Sequence, residues 1–310
     1  MKILVTGGAG YIGSTLVPML LTQGNQVTVV DNFMYQQTPL LEVCGDSKLE
    51  IVRGDARDEN LMASLVSKHD VILPLACLTG APICKNDPVG ATTINRDAVR
   101  MLHKLKSKHQ MMLFPCTNSG YGVGSNGLHC DETTPMNPIT LYGKLKVEIE
   151  KYLLDAGDVL TFRLATVFGA SPRMRLDLLV NDFVYRAIND RAVVLFEPHF
   201  KRNYVHVRDV ASAFMHSIKN YDSMKGQAYN VGLSDANLSK QELCEAIQTQ
   251  IPGFQFVVSE IGEDPDKRNY IISNSKIEKT GFNAKVSLAE GVTELKKVFQ
   301  ILKRSQYSNV

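Results

Sequence analysis

The stretch Thr6-Gly7-Gly8-Ala9-Gly10-Tyr11-Ile12-Gly13 restricts what this chain can fold into more than any other feature. It follows an apolar run, Lys2–Thr6, and opens a helical pattern over 12–22. A strand-to-helix turn this tight needs a residue at positive φ, and a side chain within it would hold a diphosphate away from the backbone. Gly13 lets the helix lie close to the strand. The helix N-terminus then presents N–H groups and a partial positive charge to an anion. A glycine triplet alone is a weak signal; the strand-turn-helix setting gives this one its weight.

Asp31 closes the next strand pattern, Gln26–Asp31, 18 residues beyond Gly13. A carboxylate there can accept hydrogen bonds from the adenosine ribose, and it repels the extra phosphate of NADP. Asn32 follows it, not arginine. NAD is therefore the expected cofactor, with Gly7, Gly10, Tyr11, Ile12, Gly13, Asp31 and Asn32 around it. The competing reading of Asp31 is a residue that caps the strand or begins a turn. The loop lacks the Gly-Lys-Ser/Thr ending of an ATP-binding P-loop.

Further apolar runs at Leu49–Arg53, 71–76, Met111–Thr117 and 160–165 read as strands. They show little polar alternation, as strands covered by helices on both faces do. Helical patterns over 59–67, 89–108 and 141–155 lie between them. That alternation predicts an α/β fold, a doubly wound and mostly parallel Rossmann sheet. Past Gly169, helical segments at 176–189 and 240–249 mix with short strands at 193–196 and Gln255–Ser259, and the chain closes on a helical run over 288–303. These read as a smaller α/β substrate-binding lobe. A chain of 310 residues exceeds what one core usually holds. Residues 1–168, with a return segment near 203–234, are assigned to the nucleotide-binding unit, and 169–202 with 235–310 to the second lobe.

Lys and Arg number 34 against 32 Asp and Glu, which leaves no basic excess for a nucleic acid or a membrane surface. The six cysteines are scattered, with no metal-binding spacing, so free thiols in a reducing, cytoplasmic setting and no metal are expected. No stretch is long and apolar enough to span a bilayer, and the N-terminus shows no signal-peptide pattern.

Tyr142 and Lys146 stand four apart on a predicted helix, so both leave it on one face. A free phenol titrates near about 10 and is a poor base at neutral pH. A neighbouring ammonium favours the phenolate, which could take the proton of a sugar hydroxyl as hydride leaves the same carbon. Tyr-x-x-x-Lys spacing is common on helices by chance, and its place after the fifth strand is what marks it here. Thr117 ends that strand, where ligands of open parallel sheets bind. Its hydroxyl, or that of Ser119, can meet the reacting oxygen; a β-branched residue closing a strand is the competing reading.

Together these residues resemble the extended short-chain dehydrogenase/reductase family, in particular its nucleotide-sugar epimerases and dehydratases. The resemblance spans essentially the whole chain and includes Gly54-Asp55-Ala56, Asn95 and Arg202-Asn203-Tyr204-Val205-His206-Val207-Arg208-Asp209 in family order. It implies that Asp55 and Ala56 meet the adenine, that Leu75, Ala76 and Asn95 line the cofactor, and that Lys146 holds the nicotinamide ribose. It also implies that Arg202 binds the substrate diphosphate, with Arg175, Asn181 and Arg268 as further nucleotide-sugar contacts beside Asn118 and Ser119. A homodimer across 89–108 and 141–155 is a further expectation from the family.

Two departures bear on the reaction. Dehydratases of this family carry Asp-Glu after the catalytic threonine, and this chain has Asn118 and Ser119, which disfavours loss of water. The segment Arg163-Leu164-Ala165-Thr166-Val167-Phe168-Gly169 lacks the asparagine with which many epimerases contact substrate. The stretches 31–35, 171–183 and 262–268 resemble a subgroup from surface-polysaccharide pathways. The expected activity is NAD-dependent oxidation at C4 of a nucleoside-diphosphate hexose or heptose, GDP-linked, releasing a 4-keto sugar. The alternative is a 4-epimerase with a transient ketone, and a 4,6-dehydratase ranks lower. A non-catalytic dinucleotide sensor is the reading from a different class; such relatives tend to lose the tyrosine or the lysine.

Overall fold

The computed structural model describes residues 1–35, 37–123, 129–261 and 268–302. Residues 262–267, part of the resemblance above, lie outside the described residues. The chain begins β1 (Lys2–Thr6), α1 (Gly13–Thr22), β2 (Gln26–Asp31), β3 (Leu49–Arg53), α2 (Glu59–Val66) and β4 (Val71–Pro74). Two short helices, α3 (Ala81–Asn86) and α4 (Pro88–Thr92), lead into α5 (Ala98–Leu105) and β5 (Met111–Thr117). Next come β6 (His129–Cys130), α6 (Leu141–Ala156), β7 (Leu160–Leu164) and β8 (Thr166–Phe168). They are followed by α7 (Leu179–Asn189), β9 (Ala192–Phe196), β10 (Lys201–His206), α8 (Val207–Lys219), α9 (Tyr221–Met224) and β11 (Ala228–Val231). The last elements are β12 (Asn237–Ser239), α10 (Lys240–Gln248), β13 (Gln255–Ser259), β14 (Ile271–Ile272), α11 (Ser275–Glu278) and α12 (Leu288–Val298).

Seven strands form one parallel sheet in the order β11-β7-β5-β4-β1-β2-β3. The chain winds outward from β1 to β3, then returns and winds the other way from β4. The crevice at that reversal, between the ends of β1 and β4, is where such sheets bind ligands. Alternate residues of β1 explain the apolar runs. Ile3 and Val5 pack with Val17, Leu20 and Phe214 of α1 and α8 on one face, and Leu4 packs with Met62, Val99 and Ile149 of α2, α5 and α6 on the other. A second core gathers Phe168, Val180, Val184, Tyr204, Leu243, Ile247 and Leu295 around α7, α10 and α12. The expected doubly wound α/β sheet is thus observed, with smaller sheets beside it.

Some elements differ from expectation. The seventh strand, β11, is the four-residue Ala-Tyr-Asn-Val, too short to stand out as a run. The helix expected over 89–108 is interrupted by one wide turn at Thr93–Asp97. Asn95 sits in that turn, and its amide is committed to the backbone of Leu78, accepting from the N–H and donating to the C=O at 2.9 Å each. Wide turns of this kind are frequent near functional sites.

Helix α6 carries Tyr142 and Lys146, and its placement has identifiable causes. Thr140 Oγ1 caps it by accepting from Gly143 N at 3.2 Å, and Gly157 ends it at φ +77°. Midway, Glu150 accepts from Thr161 Oγ1 at 2.9 Å and from Arg163 Nε at 3.0 Å, tying the helix to β7. Arg163 also donates to the Tyr121 hydroxyl at 3.0 Å and the Glu132 carbonyl at 3.1 Å. Removing one partner of such a buried pair strands the other charge. Arg163→Met should therefore cost about 3–5 kcal/mol in urea unfolding, and Glu150→Leu combined with Arg163→Met should recover most of that loss.

Candidate active site

The glycine turn is wedged between strand ends. Gly7 has φ +71°, and a Cβ there would lie 2.5 Å from Ala76 N and 2.8 Å from the Leu75 carbonyl carbon. Gly7 N donates to Val30 O at 2.8 Å, and a Cβ on Gly13 would fall 2.6 Å from the Gly8 backbone. Asp31 ties the turn to β2: its carboxylate accepts from Ala9 N at 3.0 Å and from Phe33 N at 2.9 Å. Burial raises the Asp31 carboxyl above its ordinary value, against the lowering effect of these N–H groups and of Arg173.

A cleft opens at this point, with Gly7, Gly10, Asp31, Asn32, Asp55, Ala56, Leu75 and Ala76 in its walls. A cradle with no room for side chains, a helix N-terminus and a carboxylate at the end of β2 fit a dinucleotide such as NAD. Asp55 reaches the cleft already paired with Arg57 at 2.5 Å, whose hydrogen bond holds the carboxyl below its ordinary value. The same walls include Tyr35, Arg57, Cys77 and Arg173, none of which stands in a sequence motif that points to the cofactor.

Several expected contacts are placed elsewhere. Asn95 is fully buried with its amide on Leu78, so it shapes a loop that lines the cleft and is not itself a lining residue. The Tyr11 hydroxyl donates to Gly169 O at 2.7 Å, which turns its side chain toward the second core. Ile12 and Gly13 contribute as the start of α1. Asn181, expected to meet substrate, is also fully buried. It accepts from Gly169 N at 3.0 Å and donates to Arg175 O at 2.8 Å and to the Tyr11 hydroxyl at 3.3 Å.

Beyond the cleft, the end of β5 meets the start of α6. Thr117 Oγ1 donates to Ser119 Oγ at 3.0 Å and accepts from Ser119 N at 3.1 Å. Arg268 Nη1 donates to the same Ser119 oxygen, and Arg202, 3% exposed, donates to the Arg268 carbonyl. Arg202, Arg268, Ser119 and Thr117 are therefore brought together from separate segments of the chain. Asn118 is buried there, its amide without a hydrogen-bond partner among the described residues.

Tyr142 packs against the cluster of Leu78, Cys84, Ala91 and Leu145, and Leu78 also lines the cleft. Burial pushes the phenol well above its ordinary value, the thiols of Cys77, Cys116 and Cys84 add to that, and the Arg175 guanidinium opposes it. The helix spacing points to Lys146 as the opposing charge. Its ammonium instead donates to Pro115 O at 2.8 Å and stands 4.5 Å from the Phe114 ring centroid. Arg175 is held by Asp177 at 2.5 Å and reaches Thr79 O at 3.4 Å. Among the described residues no cluster of His, Cys, Asp or Glu is arranged to hold a metal, and no helix is long and apolar enough to cross a membrane.

The parallel sheet, the glycine cradle at its reversal point and the carboxylate at the end of β2 define a dinucleotide-binding fold of the nicotinamide-dependent oxidoreductase class. Residues 3–232 match the model of the NAD dependent epimerase/dehydratase family, and the chain belongs to that family. It is 28% identical to a dTDP-glucose 4,6-dehydratase of Streptomyces niveus, over 95% of this chain and 91% of that one. It is 27% identical to UDP-glucuronic acid decarboxylase 5 of Arabidopsis thaliana, over 97% of this chain and 90% of that one. The solved UDP-glucose 4-epimerase of Thermotoga maritima, with UDP-glucose, is similar at a TM-score of 0.84 and 26% identity, covering 97% and 99% of the two chains. The protein is thus an NAD-dependent enzyme that modifies nucleotide sugars.

Helix α12 is pinned to the segment after β8 and to the β10–α8 junction by Glu294, which accepts from Ala170 N at 2.8 Å and pairs with Arg208 at 2.5 Å and His206 at 3.3 Å. Burial alone would raise its carboxyl. The His206 hydrogen bond, the Ala170 N–H and Arg208 overcome that and hold it at about 2, below the ordinary 4.5. A lowered folded-state value gives stability that is present above 4.5 and is lost as pH falls through about 2. Glu294→Gln should be less stable than the parent at pH 7, and the gap between their urea midpoints should narrow progressively between pH 4.5 and 2. A gap independent of pH would remove this assignment.

Proposed function

We propose that this chain oxidises C4 of a nucleoside-diphosphate sugar and returns the hydride to the opposite face of the transient ketone, acting as a 4-epimerase. The observation that carries the reading is the edge of β5, where Thr117 and Ser119 offer paired hydroxyls and the two positions after Thr117 carry no carboxylate. Bound NAD supplies the hydride acceptor at C4 when the enzyme is loaded.

The chain's own residues provide the rest. Tyr142 takes the proton of the C4 hydroxyl, and Arg175, the opposing positive charge on its phenol, favours the anionic form. Thr117 donates to Ser119 in this arrangement; by rotating its hydroxyl it donates instead to the C4 oxygen and aligns it, while the single proton of that oxygen goes to Tyr142. Lys146 stays on the Pro115 carbonyl in this arrangement and reaches the ribose of a bound cofactor by leaving it. Arg202 and Arg268 offer planar guanidinium groups suited to the substrate diphosphate. Asn118 and Ser119 cannot act as the acid and base that expel water, which separates this site from the 4,6-dehydratases.

Release of the 4-keto sugar is the second reading. Its support is the likeness of residues 31–35 and 171–183 to GDP-manno-heptose 4-dehydrogenases of capsule synthesis, which also favours guanosine as the base. Similarity to a solved 4-epimerase favours return of the hydride. The two-fold pairing of α5 and α6 rests on family resemblance, and sedimentation at twice 34.4 kDa checks it.

The decisive experiment incubates the NAD-loaded enzyme with GDP-, UDP-, CDP- and dTDP-sugars and weighs the products. An unchanged mass with new stereochemistry at C4 is expected. Loss of two hydrogens would establish the second reading, and loss of water would overturn both. Tyr142→Phe should lower turnover by roughly 10²–10⁴ while NAD binding is retained; full activity in that variant would remove the mechanism.

A further inference from the structure

The segment that leaves β8 lies across the N-terminal end of α1. Gly169 O accepts from the Tyr11 hydroxyl at 2.7 Å, Ser171 Oγ donates to Tyr11 O at 2.7 Å, and Ser171 Oγ and Ser14 Oγ are 2.9 Å apart. Arg173 N then donates to Ser14 Oγ at 3.2 Å. The second lobe thus places a strap on the helix end that a dinucleotide's diphosphate uses.

The strap carries Arg173 into the cofactor cleft. Its guanidinium carbon stands 4.1 Å from the centroid of the Tyr35 ring, in the loop that follows Asp31, and both residues are among the cleft walls with Gly10 and Asp31. Arg173 is only 2% exposed. Burial and the charge of Arg175 both work against its protonated form, while Tyr35, Asp177 and Asp31 favour it. Two buried guanidinium groups side by side, one of them engaged by Asp177, make the crevice more favourable to an anion.

We propose that Arg173, stacked on Tyr35, is a ligand of the NAD diphosphate, so that the second lobe closes the dinucleotide cleft through this strap. Guanidinium chemistry suits this role, because a planar fork can hold two phosphate oxygens at once and the ring beneath fixes its plane. Lysine lacks that fork and would replace it only in part. The proposal concerns the cofactor alone and stands or falls independently of which sugar is used.

The test is calorimetric binding of NAD and ADP, with adenosine followed by NMR titration at millimolar concentration, for the parent, Arg173→Met and Arg173→Lys. Arg173→Met should weaken NAD and ADP at least tenfold and leave adenosine unchanged, and Arg173→Lys should recover part of the loss. NAD affinity of the parent should fall more steeply with salt than that of Arg173→Met. Unchanged NAD and ADP affinity in Arg173→Met overturns the proposal. So does an equal loss for adenosine, which would make Arg173 a support for the Tyr35 loop. Should Arg173→Met fail to fold, Arg173→Gln is held to the same split between diphosphate and nucleoside.

Discussion

Where the glycine turn crosses β4, backbone lies directly on backbone. Gly7 has no space for a Cβ against Ala76 and Leu75, its N–H is bonded to Val30 on one side, and Leu75 N is bonded to Thr6 O on the other. The turn can therefore exist only with β1 flanked by β2 and β4 in parallel, which is the reversal point of the sheet. That one contact opens the cleft, brings the Asp31 carboxylate back to Ala9 N and aims α1 at the crevice. Thr117 reaches the same edge because β5 runs parallel to β4 in this sheet, and the strap after β8 reaches it through its bonds to Tyr11 and Ser14 at the start of α1.

Features that answered a local requirement were readable in the sequence. Positive φ at Gly7, close approach at Gly13 and strands apolar on both faces are demands that neighbouring residues impose, and they leave a pattern. The four-residue spacing of Tyr142 and Lys146 set where their Cβ atoms point. It did not set the end of a long flexible side chain, and the Lys146 ammonium went to a carbonyl 31 residues away in sequence. The family resemblance implies Asn95 and Asn181 as ligand contacts. Each instead spends its hydrogen bonds on backbone brought near by the fold, at Leu78 and at Gly169. The interrupted helix at Thr93–Asp97 has the same origin, since only the folded position of Leu78 gives Asn95 its partner. Arg173 stands in the 171–183 stretch of the subgroup resemblance, which assigns it no cofactor role; its place at the cleft comes from Ser14 and Tyr35, which fold beside it.

Buried polar groups do much of the positioning in this enzyme. Glu150 and Arg163 fix the register of α6 on β7, and Asn203 anchors β10 by donating to Leu233 O at 2.7 Å. Asp209 accepts from Lys285 N at 3.0 Å and Val286 N at 2.9 Å, holding the approach to α12. The charged and polar residues of the Arg202–Asp209 motif thus divide by direction. Arg202 turns toward Arg268 and the end of β5, while Asn203, His206 and Asp209 tie the second core to the sheet.

The strap over 169–177 joins these parts into one mechanical unit. At its start a Cβ on Gly169 would fall 2.1 Å from His206 Nε2, so the chain passes only where no side chain intervenes, and Glu294 holds the next residue from α12. Further along, Ser171 and Arg173 bind the first turn of α1, and Arg175 opposes the burial of Tyr142. A ligand that draws on Arg173 therefore acts on the same short segment that presents Arg175 to the phenol. Coupling of this kind is reciprocal: whatever free energy an occupied cleft contributes to ordering the strap, an ordered strap returns as affinity for the occupant.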